Sequence, residues 1–402
     1  MMIPPLDRCP AWRSERLARG GYATLHRCSG DGASRAVKLF DQPGYANVFE
    51  RELDTLRMMK GCRGVPGVVD WGRLADGRLC IVCDVSPGIP LTAYVEREGP
   101  LSLERAKGVL RQLLEILGHA HAKGVLHKAV TPDNILFDGE RVELLEWGAG
   151  EPIGDGRGEE IRGDQRWVAP ECYYGRHHRS GDLYALGWVT LFMLTGELPY
   201  HMEAVEDQDY RMVAHCFERP RLPEGVAGEI APLIHAWLRK EPERRPLGYD
   251  LEVVSREADG RAEEFFAAKE LRQLRHEFSF LYYAVVHGVP YAQFRYGERL
   301  LKESGRGREA LFWLNEARQA GCAKAGYRLA RCLMEGVAGN RSPRRAFAYL
   351  RAAARGGNAK AQFALAEWLL QRPGGDHEAR HYYGLAADRG EPRARLILER
   401  GG

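Results

Sequence analysis

Hydrophobic and polar positions alternate in short runs over the first quarter of the chain. Strand-like runs fall at Tyr22–Cys28, Ser34–Phe40, Gly67–Arg73 and Leu79–Val85. Between the second and third, Phe49, Leu53, Leu56 and Met59 recur at near-helical spacing, which predicts a helix over Val48–Lys60. From Ser102 the helical period dominates, over Ser102–Lys123 and again over Asp182–Thr195, with an irregular glycine-rich stretch at Gly148–Gly163 between them. A small β-rich part followed by a larger helical one predicts an α+β arrangement of two lobes. Proline and charge mark a late boundary at Lys240–Pro246, and Gly260–His276 reads as a charged helical stretch leading into the C-terminal part.

That last part repeats. YAQFRYGERLL at 291 matches KAGYRLARCLM at 324, KAQFALAEWLL at 360 and a truncated RARLIL at 393. The aligned alanines are Ala292, Ala325, Ala361 and Ala394, at spacings of 33, 36 and 33 residues. A second helix repeats in register with the first, through Ala310, Ala346 and Ala379, and closes on Gly321, Gly357 and Gly390. Small residues at fixed positions let paired helices approach closely, and the glycines end each second helix. The pattern resembles Sel1-type repeats, relatives of tetratricopeptide repeats, and implies a short α-solenoid that recruits a protein partner.

Charge and composition narrow the classes. The chain of 402 residues carries a net charge of only +3, but residues 286–402 hold 21 Lys and Arg against 11 Asp and Glu. A basic C-terminal third suits an acidic protein, a nucleic acid or a membrane surface. The plainer reading is a solvated arginine-rich helix surface, and no nucleic-acid partner is expected. Of the nine cysteines only Cys80 and Cys83 lie close, in the strand-like LCIVCDV, where residues three apart point to opposite faces. Buried free thiols, and hence a reducing compartment, are the expectation. The start has no continuous apolar core of a signal peptide, and the apolar run near Trp188–Leu194 stops at Thr195-Gly196, short of a membrane span. A cytoplasmic location is expected.

The chemistry-bearing motifs lie between residues 15 and 255. In order they are LARGGYATLHRC (17–28), RAVKLF around Lys38, FERELDTL around Glu52, HKAVTPDNIL (127–136), Glu146-Trp147-Gly148, Ala169-Pro170-Glu171, GDLYALG around Asp182 and KEPERRP around Arg245. The ordered set resembles the Hanks-type Ser/Thr protein-kinase fold. The resemblance implies a kinase-like domain over 15–258, with lobes dividing near 85/86. An N-terminal extension over 1–14 would precede it, and a helical linker over 259–288 and repeats over 289–402 would follow.

Residue by residue, the resemblance makes Gly20 and Gly21 the remnant of the phosphate-covering glycine loop, with Ala18 and Ala23 at the outer glycine positions. Lys38 falls at the phosphate-neutralising lysine, paired with Glu52 or, alternatively, Glu50. Leu25, Ala36 and Leu136 fall at the adenine-sandwiching positions. Asn134 and Glu146 fall at the metal positions, Glu146 being one methylene longer than the family's aspartate. His127, Glu171, Asp182 and Arg245 fall at architectural positions. Weak binding of ATP and Mg²⁺ is therefore implied.

The catalytic positions depart from the family. Ala129 stands where the family has its catalytic aspartate, Thr131 where it has a lysine, and Asp164 where it has a threonine. A methyl group accepts no proton. From Ala149 to Val168 there is no Ser, Thr or Tyr, so phosphorylation of that loop cannot be a switch. The expectation is a catalytically impaired, pseudokinase-like scaffold in which Asp164 and Thr131 hydrogen-bond as a clasp. The alternatives are an active Ser/Thr kinase with an unorthodox base, Asp164 first and Asp133 or Glu146 next, and a transferase of other chemistry such as adenylylation.

Overall fold

A computed structural model describes residues 13–400 apart from 20–22, 31–32, 41–44, 153–163, 201–207, 219, 221, 224–225, 227, 259–279, 340 and 373. Gly20 and Gly21, and the expected helix over Gly260–His276, lie outside the described residues.

The first lobe is an antiparallel sheet of β1 (Arg13–Arg19), β2 (Ala23–Gly30), β3 (Ala33–Phe40), β4 (Val68–Arg73) and β5 (Leu79–Asp84), in the order β1-β2-β3-β5-β4. β1 is a strand the hydrophobic pattern did not predict. It is an edge strand whose central Leu17 is exposed, so it carries no alternation to read. One helix, α1 (Ala46–Met58), packs on the sheet and begins two residues before its predicted start. Its Phe49, Leu53 and Leu56 are buried, and the Phe49 ring meets Phe40 of β3 edge-on at 5.4 Å.

The second lobe is helical: α2 (Leu91–Glu98), α3 (Leu103–Ala122), α4 (Arg179–Thr195), α5 (Gln208–Phe217), α6 (Ala231–Trp237) and α7 (Leu251–Glu257). Ser102 caps α3 by accepting from the Arg105 amide. α4 is apolar around nearly its whole circumference and is accordingly its central helix, with every residue from Asp182 to Met193 buried. Short strands sit where the lobes meet: β6 (Ile89–Pro90), β8 (Ile135–Phe137) and β9 (Val142–Leu144) form one sheet, and β7 (Val125–Leu126) pairs with β10 (Glu151–Pro152). They hold residues 127–134 and 145–148 against each other at the cleft.

The C-terminal part is a helical array: α8 (Phe280–Val286), α9 (Pro290–Leu300), α10 (Gly307–Gln319), α11 (Ala323–Glu335), α12 (Pro343–Arg355), α13 (Ala359–Leu370), α14 (Asp376–Asp388) and α15 (Pro392–Arg400). All seven repeat alanines are buried at the helix contacts. Gly321, Gly357 and Gly390 have φ of 92°, 90° and 97°, the left-handed geometry that favours glycine after a helix. The apolar core runs across residue 288. Leu281, Ala284, Val285, Val289 and Ala292 pack into the core of the helical lobe, and the array's own core begins at Leu314. Among the described residues no helix is long and apolar enough to cross a membrane.

Candidate functional site in the cleft

Antiparallel pairing sets the roof of the cleft. Lys38 lies opposite Leu25 on β2 and Ile81 on β5, and Ala36 lies opposite Arg27 and Cys83. Opposed residues share a face, so Leu25, Ala36, Lys38 and Cys83 lie on one side of the sheet. Leu25 and Ala36 are half-buried there, and Leu136 of β8 is half-buried on the other lobe. The sequence marks Cys83 only as one of a close pair of free thiols, not as a residue of the cleft. Its position two residues from Ile81, opposite Ala36, is a register fact that only the strand pairing reveals. Burial pushes its thiol up to about 12, so it is an unreactive wall residue.

Lys38 Nζ donates to both oxygens of Glu52, each at 2.8 Å, and to Glu146 Oε1 at 2.9 Å. Of the two glutamates open from sequence, Glu52 is therefore the partner. Glu50, two residues along α1 and on the other flank of the helix, meets Arg395 instead. Burial opposes the charge on Lys38, but the two carboxylates outweigh it and hold its pKa above the ordinary lysine value. Burial pushes the Glu52 carboxyl upward, against the pull of Lys38. At neutral pH the two form an ion pair, because both oxygens accept from one ammonium. Gly148 belongs to the same contact: a Cβ there would stand 2.8 Å from Glu52 Oε2.

Residues 127–134 are held by their backbone. Asp182 Oδ2 accepts from the His127 amide at 2.9 Å and Oδ1 from the Lys128 amide at 2.8 Å, while His121 Nε2 lies 2.8 Å from Oδ2. Burial would raise the pKa of Asp182; these hydrogen bonds and the two histidines outweigh it and hold it below the ordinary value. Lys128 takes a φ of 65°, which turns its amide toward Asp182. His127 is fully buried and its pKa is lowered by that burial. Its Nδ1 accepts from the Ala129 amide at 3.2 Å, so Nε2 carries the proton and donates to the Leu145 carbonyl at 2.8 Å. Its ring meets buried Trp147 edge-on at 4.5 Å.

Glu146 has a left-handed φ of 63°, so its carboxylate turns toward Lys38 while Trp147 enters the core. Asn134 Nδ2 donates to the Ala129 carbonyl at 2.8 Å, and the Leu145 amide donates to the Asn134 carbonyl at 2.8 Å, which brings Asn134 beside Glu146. Glu146 Oε2 and Asn134 Oδ1 are oxygen donors, the type a hard divalent cation takes.

Below the cleft, Glu171 and Arg245 form a buried two-pronged ion pair at 2.7 Å on each prong. Arg245 spends its remaining donors on the carbonyls of Ser180, Lys240 and Arg239, so its whole guanidinium is satisfied.

Ala129 and Thr131 are buried and line a cavity of about 40 Å³ together with Asp164, Trp167, Cys172 and Asp182. The expected Asp164–Thr131 clasp is not formed. Asp164 Oδ1 accepts from the Arg166 amide at 2.9 Å and Oδ2 from Arg166 Nε at 2.6 Å. A local turn satisfies the carboxylate two residues from its own position, and the short Thr131 side chain does not compete. Arg166, unnoticed in sequence, also lies 3.8 Å from Asp133 Oδ2, and Asp133 Oδ1 accepts from Thr92 at 2.5 Å.

The family model described as protein kinase domain matches residues 13–251, more than half of the chain. Serine/threonine-protein kinase PknD of Mycobacterium tuberculosis is 30% identical over 278 residues, 64% of this chain and 41% of that protein. Serine/threonine-protein kinase PknE of Mycobacterium bovis is 29% identical over 251 residues, 58% of this chain and 43% of that protein. Testis-specific serine/threonine-protein kinase 3 of Homo sapiens is 29% identical over 175 residues, 41% of this chain and 65% of that protein. The chain spans less than two thirds of the length of each of these relatives.

Proposed function

Given that this chain belongs to the protein kinase family, we propose that it is a nucleotide-binding member with impaired phosphoryl transfer, a pseudokinase acting as a signalling scaffold whose Sel1-like repeats recruit a protein partner. The observation that carries the reading is a division within one cleft. The phosphate-facing lysine is engaged by Glu52 and Glu146, whereas the position of the proton acceptor is the methyl group of Ala129. Lys38 would meet the α- and β-phosphates of ATP. Leu25, Ala36 and Leu136 would enclose the base, with Gly20 and Gly21 over the phosphates. Glu146 and Asn134 would hold Mg²⁺, which when bound neutralises phosphate charge. The cation would share the Glu146 carboxylate with Lys38, and the extra methylene displaces that carboxylate from the geometry Mg²⁺ demands, so binding would be weak.

The competing reading is an active Ser/Thr kinase with a relocated base. Its three candidate bases are already engaged, Asp164 by Arg166, Asp133 by Thr92 and Glu146 by Lys38, which supports the impaired reading. Proton acceptance by a positioned base contributes about 10²- to 10⁴-fold, and the methyl group of Ala129 cannot supply it. A thermal-shift titration with ATP·Mg tests the binding half of the proposal. The melting temperature is expected to rise at millimolar ATP, and Lys38→Ala to remove the rise. A wild-type protein that shows no shift would point to a nucleotide-free scaffold.

A further inference from the structure

Helix α1 is gripped on two flanks by two of its own glutamates. Glu52 faces Lys38 inside the lobe, and Glu50, about 200° around the helix, faces outward to Arg395 on the last helix of the array. The two residues of that outer pair are 345 positions apart in sequence, and each side chain is only about a quarter exposed, 24% for Arg395 and 26% for Glu50. The other end of the array is fixed to the helical lobe. Leu281, Ala284, Val285 and Val289 share its core, the Tyr291 and His287 rings meet Tyr173 and Phe217, and Arg295 pairs with Asp209 of α5. The array thus runs from α5 of one lobe to α1 of the other, across the boundary that forms the cleft.

Tyr45, at the N-cap of helix α1, makes no side-chain cap hydrogen bond and the first turn holds no acidic residue, so the helix's position rests on tertiary contacts: buried Phe49, Leu53 and Leu56 on the inner side and Glu50 toward Arg395 on the outer. Glu50 lies one turn into the helix, where a pull from Arg395 acts on the same rigid rod that carries Glu52.

We propose that Arg395 is a positioning residue for the nucleotide site: by holding Glu50 it keeps α1 where Glu52 reaches Lys38, so that the array sets the competence of the cleft in cis. The proposal rests on the nucleotide-binding reading for its affinity readout, but not for its structural one. It also gives the array a role besides recruitment. A partner that took hold of α15 would release Glu50 and loosen Lys38 from Glu52.

The test uses the full chain carrying Arg395→Gln, Arg395→Glu, Glu50→Arg, or the charge-swapped pair Arg395→Glu with Glu50→Arg. Two quantities are read: hydrogen exchange of the α1 amides, and the dissociation constant for ATP·Mg. Each single variant is expected to raise α1 exchange and to weaken ATP·Mg about two- to fivefold, the range of a partly exposed ion pair, and the swapped pair to recover both. Unchanged α1 exchange in the single variants, or no recovery in the swapped pair, overturns the proposal. If the wild type binds no nucleotide, it is the functional reading that fails, and the α1 exchange still decides the role of Arg395.

Discussion

Asp164 accepts two hydrogen bonds from Arg166, one from its amide and one from its guanidinium. A carboxylate lining the cavity beside Ala129 is therefore part of a local turn, which the Trp167 amide closes on the Asp164 carbonyl at 3.1 Å. Asp164→Ala is expected to cost about 1 kcal/mol, because the pair is partly solvated, and to raise hydrogen exchange at Arg166 and Trp167. ATP·Mg affinity should stay as in the wild type. A loss of affinity with unchanged local exchange would show that Asp164 works in the cleft and not in the turn.

The Glu171–Arg245 pair is fully buried, and removing one partner leaves an uncompensated charge in the core. Burial works against the Arg245 charge and Glu171 outweighs it. Glu171→Ala is expected to lower stability by about 3–5 kcal/mol in urea unfolding, and Glu171→Leu with Arg245→Met by clearly less. Equal losses in the single and double variants would contradict this account of the pair.

His215 is buried beneath Arg166, with Tyr184 Oη 2.9 Å from Nδ1 and the Arg166 carbonyl 3.0 Å from Nε2. Burial, with Lys240 nearby, pushes its pKa down to about 3. Unfolded His215 takes a proton below about pH 6.5, whereas the folded form does so only near its own lower value. The unfolded state then binds more protons, so this stabilisation is present above pH 6.5 and is lost as pH falls toward 3. His215→Gln is expected to flatten stability against pH by up to about 1.4 kcal/mol per pH unit between pH 6 and 4. Parallel wild-type and variant curves would contradict the assignment.

Much of this was legible in the sequence because it depends on local period or on residue type at an ordered position. Helix α1, helix α4 and the array helices follow from apolar spacing, and the repeat alanines and glycines mark the helix contacts and ends. What was not legible depends on tertiary register. β1 has no alternation because it lies at an edge. Cys83 reaches the cleft face only through the pairing of β3 with β5. The sequence favours Glu52 over Glu50 as the partner of Lys38, but both lie on one helix and only packing shows which flank faces the lysine. Arg166 was passed over because a lone arginine in a loop looks like solvent-exposed charge, and Asp164 was instead assigned to Thr131. The joint at residue 288 hid for a similar reason: the repeats begin there in sequence, but α8 and α9 bury their apolar faces in the lobe before them.

On the proposed function, a nucleotide is held in this cleft without its γ-phosphate being transferred. This is tested most directly by incubating the wild-type chain with γ-labelled ATP and Mg²⁺ and measuring label incorporated into itself and into Ser/Thr peptides. No incorporation above that of Lys38→Ala is expected, at ATP concentrations that shift the melting temperature. Robust labelling of the wild type that disappears in Asp164→Ala, at unchanged stability, would contradict the proposed function and make Asp164 the relocated base of an active kinase.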